Sequence, residues 1–414
     1  MTTTILTYSK GGSYRYVLPY SHVFSSWPIS KSRKKAESIA LGLTVGSWTD
    51  LPHLEKNYCL NIEEKSFLLK NLIRKQRTKA SIKIAYPLLN FSPDIPAILT
   101  TVFGKLSLDG KIRLLDLEFP NDLKKHFSGP QFGLENIRQK LNVHDRPLLM
   151  AIFKGVIGRD LTFLSNQLRN LALGGVDIVK DDEILFENSF TPFEQRITVM
   201  KRTLQEAYEQ TGHRTLYSVN ISGKTNEVIE RARLASDLGA DIILLNAFSY
   251  GIDLVQTLRE DPFVRVPIMV HPAVSGAMTS SNEYGISPSL LLGKLLRIAG
   301  ADFVLFASPY GSVAMDRSDA LKLHQELIGE DPYFKKCFSV PSAGIHPGLT
   351  EKIMNDFGKD SIINAGGGVF GHPEGPTKGV IAFRQAIDNV SFGRSLFHPS
   401  KHQNELKVAL QTWQ

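Results

Sequence analysis

The sequence has very few cysteines and no long hydrophobic run. Cys59 and Cys337 are the two cysteines among 414 residues and stand far apart, which excludes a disulfide framework and a cysteine metal cluster. No apolar run reaches the roughly 18 residues needed to cross a bilayer. The N-terminus also lacks the apolar core of a secretory signal. These absences predict a cytoplasmic protein with no membrane partner.

The net charge of +7 comes mainly from the first 90 residues, which include the basic segments KSRKK (31–35) and RKQRTK (74–79). A basic surface of this kind can bind nucleic acid. The aromatic residues of this region do not alternate with the charges, as a base-stacking surface would require. Solvated faces and an anionic substrate explain the charge more simply, so we expect no nucleic-acid partner.

Eight short apolar segments, separated by helical patterns, follow one another from residue 147 onward. They are PLLMAIFK (147–154), VDIVKDD (176–182), TLYSVNIS (215–222), DIILLNAF (241–248), PIMVHPA (267–273), DFVLFAS (302–308), FSVPSAG (338–344) and SIINAGG (361–367). Apolar spacings of three and four predict helices in EQRITVMKRTLQEAYEQTG and NEVIERARLASDLGA. Alternating buried strands and helices predict an α/β fold, a (β/α)₈ TIM barrel over residues 135–414. A doubly wound open sheet is the alternative, although it seldom uses eight consecutive repeats.

A smaller α+β domain is predicted for residues 1–134. The segments IKIAYPLLNF, IPAILTTVFGKLSL and KIRLLDLEFP predict strands and a helix, and GPQFGLE (129–135) is the predicted link to the barrel. Residues 1–35 show no clean period.

The second predicted strand ends in a lysine beside three acids. On an extended chain Lys180 and Asp182 face the same way, Asp181 faces the other, and Glu183 follows at the turn. Oxygen ligands suit Mg²⁺, but an ammonium group would repel it. If the amine of Lys180 is deprotonated and reacts with CO₂, the resulting carbamate supplies the missing anionic oxygen. A solvated turn held by salt bridges is the alternative.

Other predicted strands also end in reactive or flexible residues, at the barrel edge where active sites of this fold lie. Lys154 ends the first strand and His271 ends the fifth. Gly344 ends the seventh strand, and Gly366 and Gly367 end the eighth. Glycine lets backbone N–H groups approach a phosphate. Glycines needed only for tight turns are the alternative.

Taken in this order, the strand-end segments resemble the RuBisCO large-chain family, and more closely its type IV, RuBisCO-like proteins of methionine salvage. The resemblance runs from about Ala36 to near the C-terminus and implies a ferredoxin-like N-terminal domain. GGVDIVKDDE is similar to the metal segment of the family. It therefore implies one Mg²⁺ per subunit, held by carbamylated Lys180, Asp182 and Glu183.

The chain departs from the carboxylases where they carry a mobile lysine, an arginine and a histidine. Those positions hold Ser312, Pro272 and either Leu305 or Phe306. Carboxylation is therefore not expected. GKLSLDG resembles the corresponding segment of the 2,3-diketo-5-methylthiopentyl-1-phosphate enolases, which implies that Lys105 is the general base. The implied reaction is the enolisation of this diketone to 2-hydroxy-3-keto-5-methylthiopentenyl-1-phosphate.

The same resemblance implies a homodimer in which Lys105 acts on the barrel of the partner subunit. The residues that it places around the phosphorylated diketone are Lys154, Lys180, Asp181, Asp182, Glu183, His271, Gly344, Gly366 and Gly367. Three alternatives remain open: a different phosphorylated ketone, a Schiff-base lysine (Lys180 or Lys154) of an aldolase-type barrel, and a binding module without activity.

Overall fold

The protein is described by a computed structural model over residues 20–25, 39, 42–43, 80–86, 88 and 91–413. The chain separates into two compact units, residues 1–126 and 127–414. The boundary predicted from the sequence, between residues 134 and 135, stays a prediction. Cys59 and the basic segments at 31–35 and 74–79 lie outside the described residues.

The first unit contains an antiparallel arrangement of three strands, β1 (Tyr20–Ser25), β2 (Ala80–Ala85) and β3 (Ile112–Glu118). β1 lies between the other two, with Tyr20 opposite Ala85 on one side and Glu118 on the other. β2 overlaps the predicted segment IKIAYPLLNF, and β3 lies within KIRLLDLEFP. β1 falls within residues 1–35, where the sequence showed no period, and its pairing with β3 is irregular between His22 and Val23.

The helices that the structure describes in this unit are short. The helix α1 (Ile95–Leu99) is capped by Asp94, whose Oδ1 accepts a hydrogen bond from the backbone N–H of Ala97 at 2.7 Å. It continues into a π-helical turn (Thr100–Gly104) and a 3₁₀ turn (Leu106–Leu108). The helix α2 (Asn121–Lys124) follows β3.

The second unit contains a closed barrel of eight parallel strands. They are β4 (Leu148–Ile152), β5 (Ile178–Lys180), β6 (Leu216–Asn220), β7 (Ile242–Leu245), β8 (Ile268–Val270), β10 (Phe303–Ala307), β11 (Phe338–Ser342) and β12 (Ile362–Ala365). Neighbours pair in this order, β12 pairs with β4, and a bridge between Ser339 and Ser361 joins β11 to β12. The two-residue strand β9 (Gly285–Ile286) is not one of the eight. The predicted TIM barrel and its eight strands are confirmed.

One helix of this unit precedes β4, and the others come after strands of the barrel. They are α3 (Gly133–Leu141), α4 (Leu161–Leu173), α5 (Phe193–Thr211), α6 (Thr225–Asp237), α7 (Asp253–Glu260), α8 (Gly276–Thr279), α9 (Leu295–Ala299), α10 (Arg317–Ile328), α11 (Thr350–Phe357), α12 (Gly367–Phe370), α13 (Pro376–Ser391) and α14 (Asn404–Thr412). A π-helical segment (Ser289–Lys294) leads into α9, and 3₁₀ turns occupy Ala247–Ser249 and Pro347–Leu349. The two helices predicted from apolar spacing are α5 and α6. α5 ends at Gly212, whose φ of 68° suits a glycine cap.

Apolar side chains close one end of the barrel. Leu134, Ile137 and Leu141 of α3 pack in one buried cluster with the first residues of the strands, such as Leu148 and Ile178. The start of α3 is also held by Asp302. Its carboxylate accepts hydrogen bonds from the backbone N–H groups of Phe132 and Gly133, at the start of this helix, and from that of Ile268 in β8. Because the N-terminal ends of the strands are covered in this way, the carboxyl ends are left to form the site.

Candidate active site

Five of the predicted site residues lie at or just after the carboxyl ends of barrel strands. Lys180 is the last residue of β5, Lys154 lies two residues after β4, and His271 directly follows β8. Asp182 and Glu183 lie in the turn after β5. Parallel strands bring these ends to a common edge, so residues distant in sequence meet there.

Lys180 is fully buried, which is unusual for a lysine. Its Nζ donates to the backbone carbonyl oxygen of Asp181 at 2.9 Å and lies 3.4 Å from Oε2 of Glu183. Burial lowers the pKa of Lys180, while the negative charges of Glu183 and Asp182 oppose the shift. A lowered pKa makes the neutral, nucleophilic amine more available, which is what reaction with CO₂ requires.

The carboxylates of the turn after β5 meet two further nitrogen groups. Asp182 Oδ2 accepts from Lys154 Nζ at 2.9 Å, and Glu183 Oε2 lies 3.5 Å from His271 Nε2. Burial opposes ionisation of Glu183, but its interactions with the neighbouring Lys180 and His271 side chains lower its pKa overall. The predicted cluster of Lys154, Lys180, Asp182, Glu183 and His271 is thus assembled as one connected group.

Burial and then the charge of Lys180 lower the pKa of His271, which favours the neutral imidazole. Its Nδ1 lies 3.2 Å from the backbone N–H of Ala273, which donates to it. In the neutral ring the proton then resides on Nε2, the atom nearest Glu183. His271 is therefore a hydrogen-bond donor at the mouth of the barrel.

Asp181 faces away from this group, as the strand alternation predicted. Its Oδ1 accepts a hydrogen bond from the Tyr217 hydroxyl at 2.5 Å. Its Oδ2 accepts a hydrogen bond from the backbone N–H of Asn220 at 2.9 Å and lies 3.4 Å from Nε of Arg196. Both carboxylate oxygens are therefore engaged inside the protein. Asp181 anchors the end of β5, and its predicted contact with substrate stays a prediction.

Two asparagines that are not among the predicted site residues hold the turn after β5. Nδ2 of Asn246 donates to the backbone carbonyl oxygen of Glu183 at 2.8 Å, and Nδ2 of Asn220 donates to the same oxygen at 3.1 Å. Both stand at strand ends, the signal that selected Lys154 and His271. Within the described part of the chain, the buried Oδ1 atoms of Asn246 and Asn364 have no hydrogen-bond partner.

The predicted phosphate loops after β11 and β12 lie side by side. A Cβ on Gly368 would come within 2.1 Å of the Ile345 carbonyl oxygen, so the two loops touch. A Cβ on Gly366 would lie 2.7 Å from Cε of Lys154, which places this loop against the charged group. Gly344 has φ 69°, and a Cβ built on Gly367 would meet no described atom within 4 Å. Of these glycines, Gly367 has open space beside it, which suits close approach of the backbone to an anion.

Lys105 lies in the first unit, between the π-helical turn and the 3₁₀ turn, and its side chain is exposed. No described contact brings it to the barrel residues. Its assignment as general base stays a prediction.

No group of three or more His, Cys, Asp or Glu side chains is placed to hold a metal ion within the residues that the structure describes. Asp182 and Glu183 supply two carboxylates at the barrel mouth. A third anionic ligand would have to come from Lys180, and its buried amine of lowered pKa is suited to carry a carbamate. The residues present fit a hard divalent cation on that condition.

Comparison with known proteins identifies close relatives. Residues 133–413 match the ribulose bisphosphate carboxylase large chain, catalytic domain, and residues 25–123 match its N-terminal domain. The chain is 57% identical over 390 residues to the 2,3-diketo-5-methylthiopentyl-1-phosphate enolase of Geobacillus thermodenitrificans, covering 92% of this chain and 94% of that protein.

Solved structures of the same fold are also similar. The RuBisCO-like protein MtnW of Alicyclobacillus acidocaldarius gives a TM-score of 0.87 at 39% identity, covering 96% of this chain and 100% of that one. The octameric RuBisCO of Pyrococcus horikoshii gives 0.88 at 30% identity, covering 95% and 93%. The resemblance stated from the sequence is confirmed. None of the described helices is long and apolar enough to cross a membrane.

Proposed function

Because the chain belongs to the RuBisCO large-chain family, we propose that it catalyses the enolisation of 2,3-diketo-5-methylthiopentyl-1-phosphate to 2-hydroxy-3-keto-5-methylthiopentenyl-1-phosphate in methionine salvage. Relatives that carry this enolase name and share 57% identity over 92% of the chain support the substrate. The observation that carries the proposal is the buried amine of Lys180 beside Asp182 and Glu183.

Carbamylated Lys180, Asp182 and Glu183 are the residues that would hold Mg²⁺. When bound, the ion supplies Lewis-acid stabilisation of the negative charge that develops on the substrate's carbonyl oxygens. The pairing of Lys154 with Asp182 and of His271 with Glu183 keeps both carboxylates at the barrel mouth.

The chain's own residues would handle the proton and the oxygens. Lys105 removes a proton from C1, the C–H electron pair becomes the C1=C2 double bond, and the C2 oxygen takes a proton from solvent to give the enol. Protonated Lys105 then returns its proton to solvent. Lys154 and the Nε2–H of His271 donate hydrogen bonds to the oxygens that become negative. Nothing is oxidised or reduced, so no further reactant is required.

The phosphate would be bound by backbone N–H groups of Gly344, Gly366 and Gly367. Two touching glycine loops beside Lys154 support this placement. Since Lys105 belongs to the first unit, we propose a homodimer in which it serves the partner's barrel. The octameric assembly of the Pyrococcus horikoshii relative supports self-association in this family. A cytoplasmic location stays a prediction.

The test is turnover of the diketone phosphate by the purified protein, followed through the loss of diketone absorbance. We expect turnover with Mg²⁺ and bicarbonate, its loss with EDTA, and its loss in Lys180→Ala. Turnover of another phosphorylated ketone but not this one would overturn the substrate assignment. Activity that survives EDTA, together with a borohydride-trapped lysine adduct, would establish an aldolase-type Schiff base instead.

A further inference from the structure

The loop between β10 and α10, residues 308–316, lies directly on the predicted phosphate loop after β11. The backbone N–H of Ser308 donates to the carbonyl oxygen of Ser342 at 2.8 Å. A Cβ on Gly311 would lie 1.6 Å from the carbonyl oxygen of Ala343. No side chain larger than hydrogen is possible at Gly311 without moving one of the loops, so the contact between them is close.

Three side chains, which we call the loop clamp, fix this arrangement: Tyr310, Arg317 and Asp356. The hydroxyl of Tyr310 donates to Asp356 Oδ2, and Arg317 donates to both carboxylate oxygens, from Nη2 to Oδ1 at 2.5 Å and from Nε to Oδ2 at 2.8 Å. Nε of Arg317 also lies 3.1 Å from the Tyr310 hydroxyl. A two-point contact between guanidinium and carboxylate fixes orientation as well as distance.

The loop clamp joins both sides of the contact. Tyr310 lies in the loop after β10 and Arg317 begins α10, whereas Asp356 belongs to α11, the helix after the phosphate loop. The Asp356 side chain is 8% exposed, so its carboxylate is shielded from solvent. A partly buried charge pair of this kind is screened less than a surface pair.

The residue presented by this arrangement is Ser312. Its backbone nitrogen and its Oγ would lie 2.4 Å and 2.9 Å from a Cβ on Gly344, so both polar atoms are next to the glycine. Ser312 is exposed, which leaves its hydroxyl accessible to a ligand. Gly344 and Ala343 both have positive φ, at 69° and 72°, so the phosphate loop has an unusual conformation at this contact.

We propose that Ser312 binds the substrate phosphate through its hydroxyl and backbone N–H, and that Tyr310, Arg317 and Asp356 are positioning residues that hold it against Gly344. The inference rests on the proposed function, because the phosphate belongs to the substrate assigned above.

The test compares Ser312→Ala, Ser312→Thr and Asp356→Asn with Asp237→Asn, a control that removes an exposed pair with Arg265 of 2.9 Å. We expect Ser312→Ala and Asp356→Asn to raise both KM and the inhibition constant of inorganic phosphate roughly three- to tenfold. A change of this size corresponds to the loss of one hydrogen bond to the phosphate. kcat should change little. Ser312→Thr, which keeps the hydroxyl, should recover most of the phosphate affinity, and Asp237→Asn should match the wild type.

Unchanged phosphate inhibition in Ser312→Ala would overturn the role of Ser312. A lower melting temperature in Asp356→Asn with wild-type phosphate inhibition would show that the loop clamp is only structural. If the wild type does not turn over the diketone, the proposed function is rejected, but the role of Ser312 in phosphate binding is still testable. Calorimetric titration of the same variants with inorganic phosphate then tests that role. Equal phosphate binding by wild type and Ser312→Ala in that titration would reject it.

Discussion

Nζ of Lys154 lies 2.9 Å from Oδ2 of Asp182, although 28 positions separate the two residues in sequence. The ammonium group faces a proposed metal ligand and also borders the loop at Gly366. Replacing Lys154 by Ala should lower kcat roughly 100-fold or more, because one donor to the developing oxyanion is lost. Mg²⁺ affinity should stay the same or increase, since a cation that competes for Asp182 is removed.

Steady-state kinetics and a magnesium titration of Lys154→Ala measure both effects. Lys322→Ala, on the exposed side of α10, is the control and should behave as wild type. A large loss of magnesium affinity with normal kcat at saturating metal would contradict the assigned role.

Lys105 is the residue expected to move the proton. Lys105→Ala should lower kcat roughly 100- to 10,000-fold, the usual contribution of a general base, with little change in Mg²⁺ binding. Exchange of the C1 proton with deuterated solvent, followed by NMR, reports the step directly. The exposed Lys125, which pairs with Asp122 at 3.0 Å, provides the control Lys125→Ala in the same unit. Undiminished exchange in Lys105→Ala would assign the base elsewhere.

Lys180 should carry the carbamate. Its buried amine has a lowered pKa, and only the unprotonated amine reacts with CO₂, so activation by bicarbonate should be faster as pH rises. Mass spectrometry after incubation with isotopically labelled bicarbonate and Mg²⁺ should place one labelled CO₂ unit on Lys180. Lys180→Met should carry no label and show no activity. A fully active wild type without label would refute the carbamate.

The sequence was sufficient to predict the barrel because each strand combines a short apolar run with a flanking helix. The expectation that active-site residues lie at the carboxyl ends of the strands then selected Lys154, Lys180 and His271. The structure brings these residues together with Asp182 and Glu183. The carboxyl ends of parallel strands meet at one edge of a barrel, so the strand pattern alone predicts that these residues lie close together.

The supporting contacts could not be predicted in the same way. Asn220 and Asn246 hold the backbone of Glu183 across strands, and the partners in the loop clamp lie 39 and 46 positions apart in sequence. No local period marks such pairs. The strand β1 was missed for a related reason, since its place is fixed by pairing with β2 and β3 rather than by alternation within YSHVFS.

Asp302 should be important for stability. Its Oδ1 accepts from the backbone N–H groups of Phe132 and Gly133, and its Oδ2 accepts from that of Ile268 at 3.0 Å. Burial raises its pKa to about 6, although these donors oppose the shift. Asp302→Ala would leave buried donors unsatisfied and should lower the free energy of unfolding by about 3 kcal/mol or more. Urea denaturation measures the loss, with the exposed Asp145→Asn as control, and a loss close to zero would show that α3 is held by its apolar side chains alone.

Glu405 should make stability depend on pH. Lys378 Nζ donates to its Oε1 at 2.7 Å and Gln385 Nε2 donates to its Oε2 at 2.8 Å, which together lower the pKa of Glu405 to about 2 from an ordinary 4.5. A depressed folded-state pKa stabilises the protein at pH values above the unfolded-state pKa, and this stabilisation is lost as pH falls through the folded-state value. The wild type should therefore exceed Glu405→Gln in urea midpoint by a constant amount above about pH 4.5, and the difference should shrink as pH falls toward about 2. The exposed Glu351→Gln is the control. A difference that does not change with pH would mean that Glu405 acts through packing rather than through its charge.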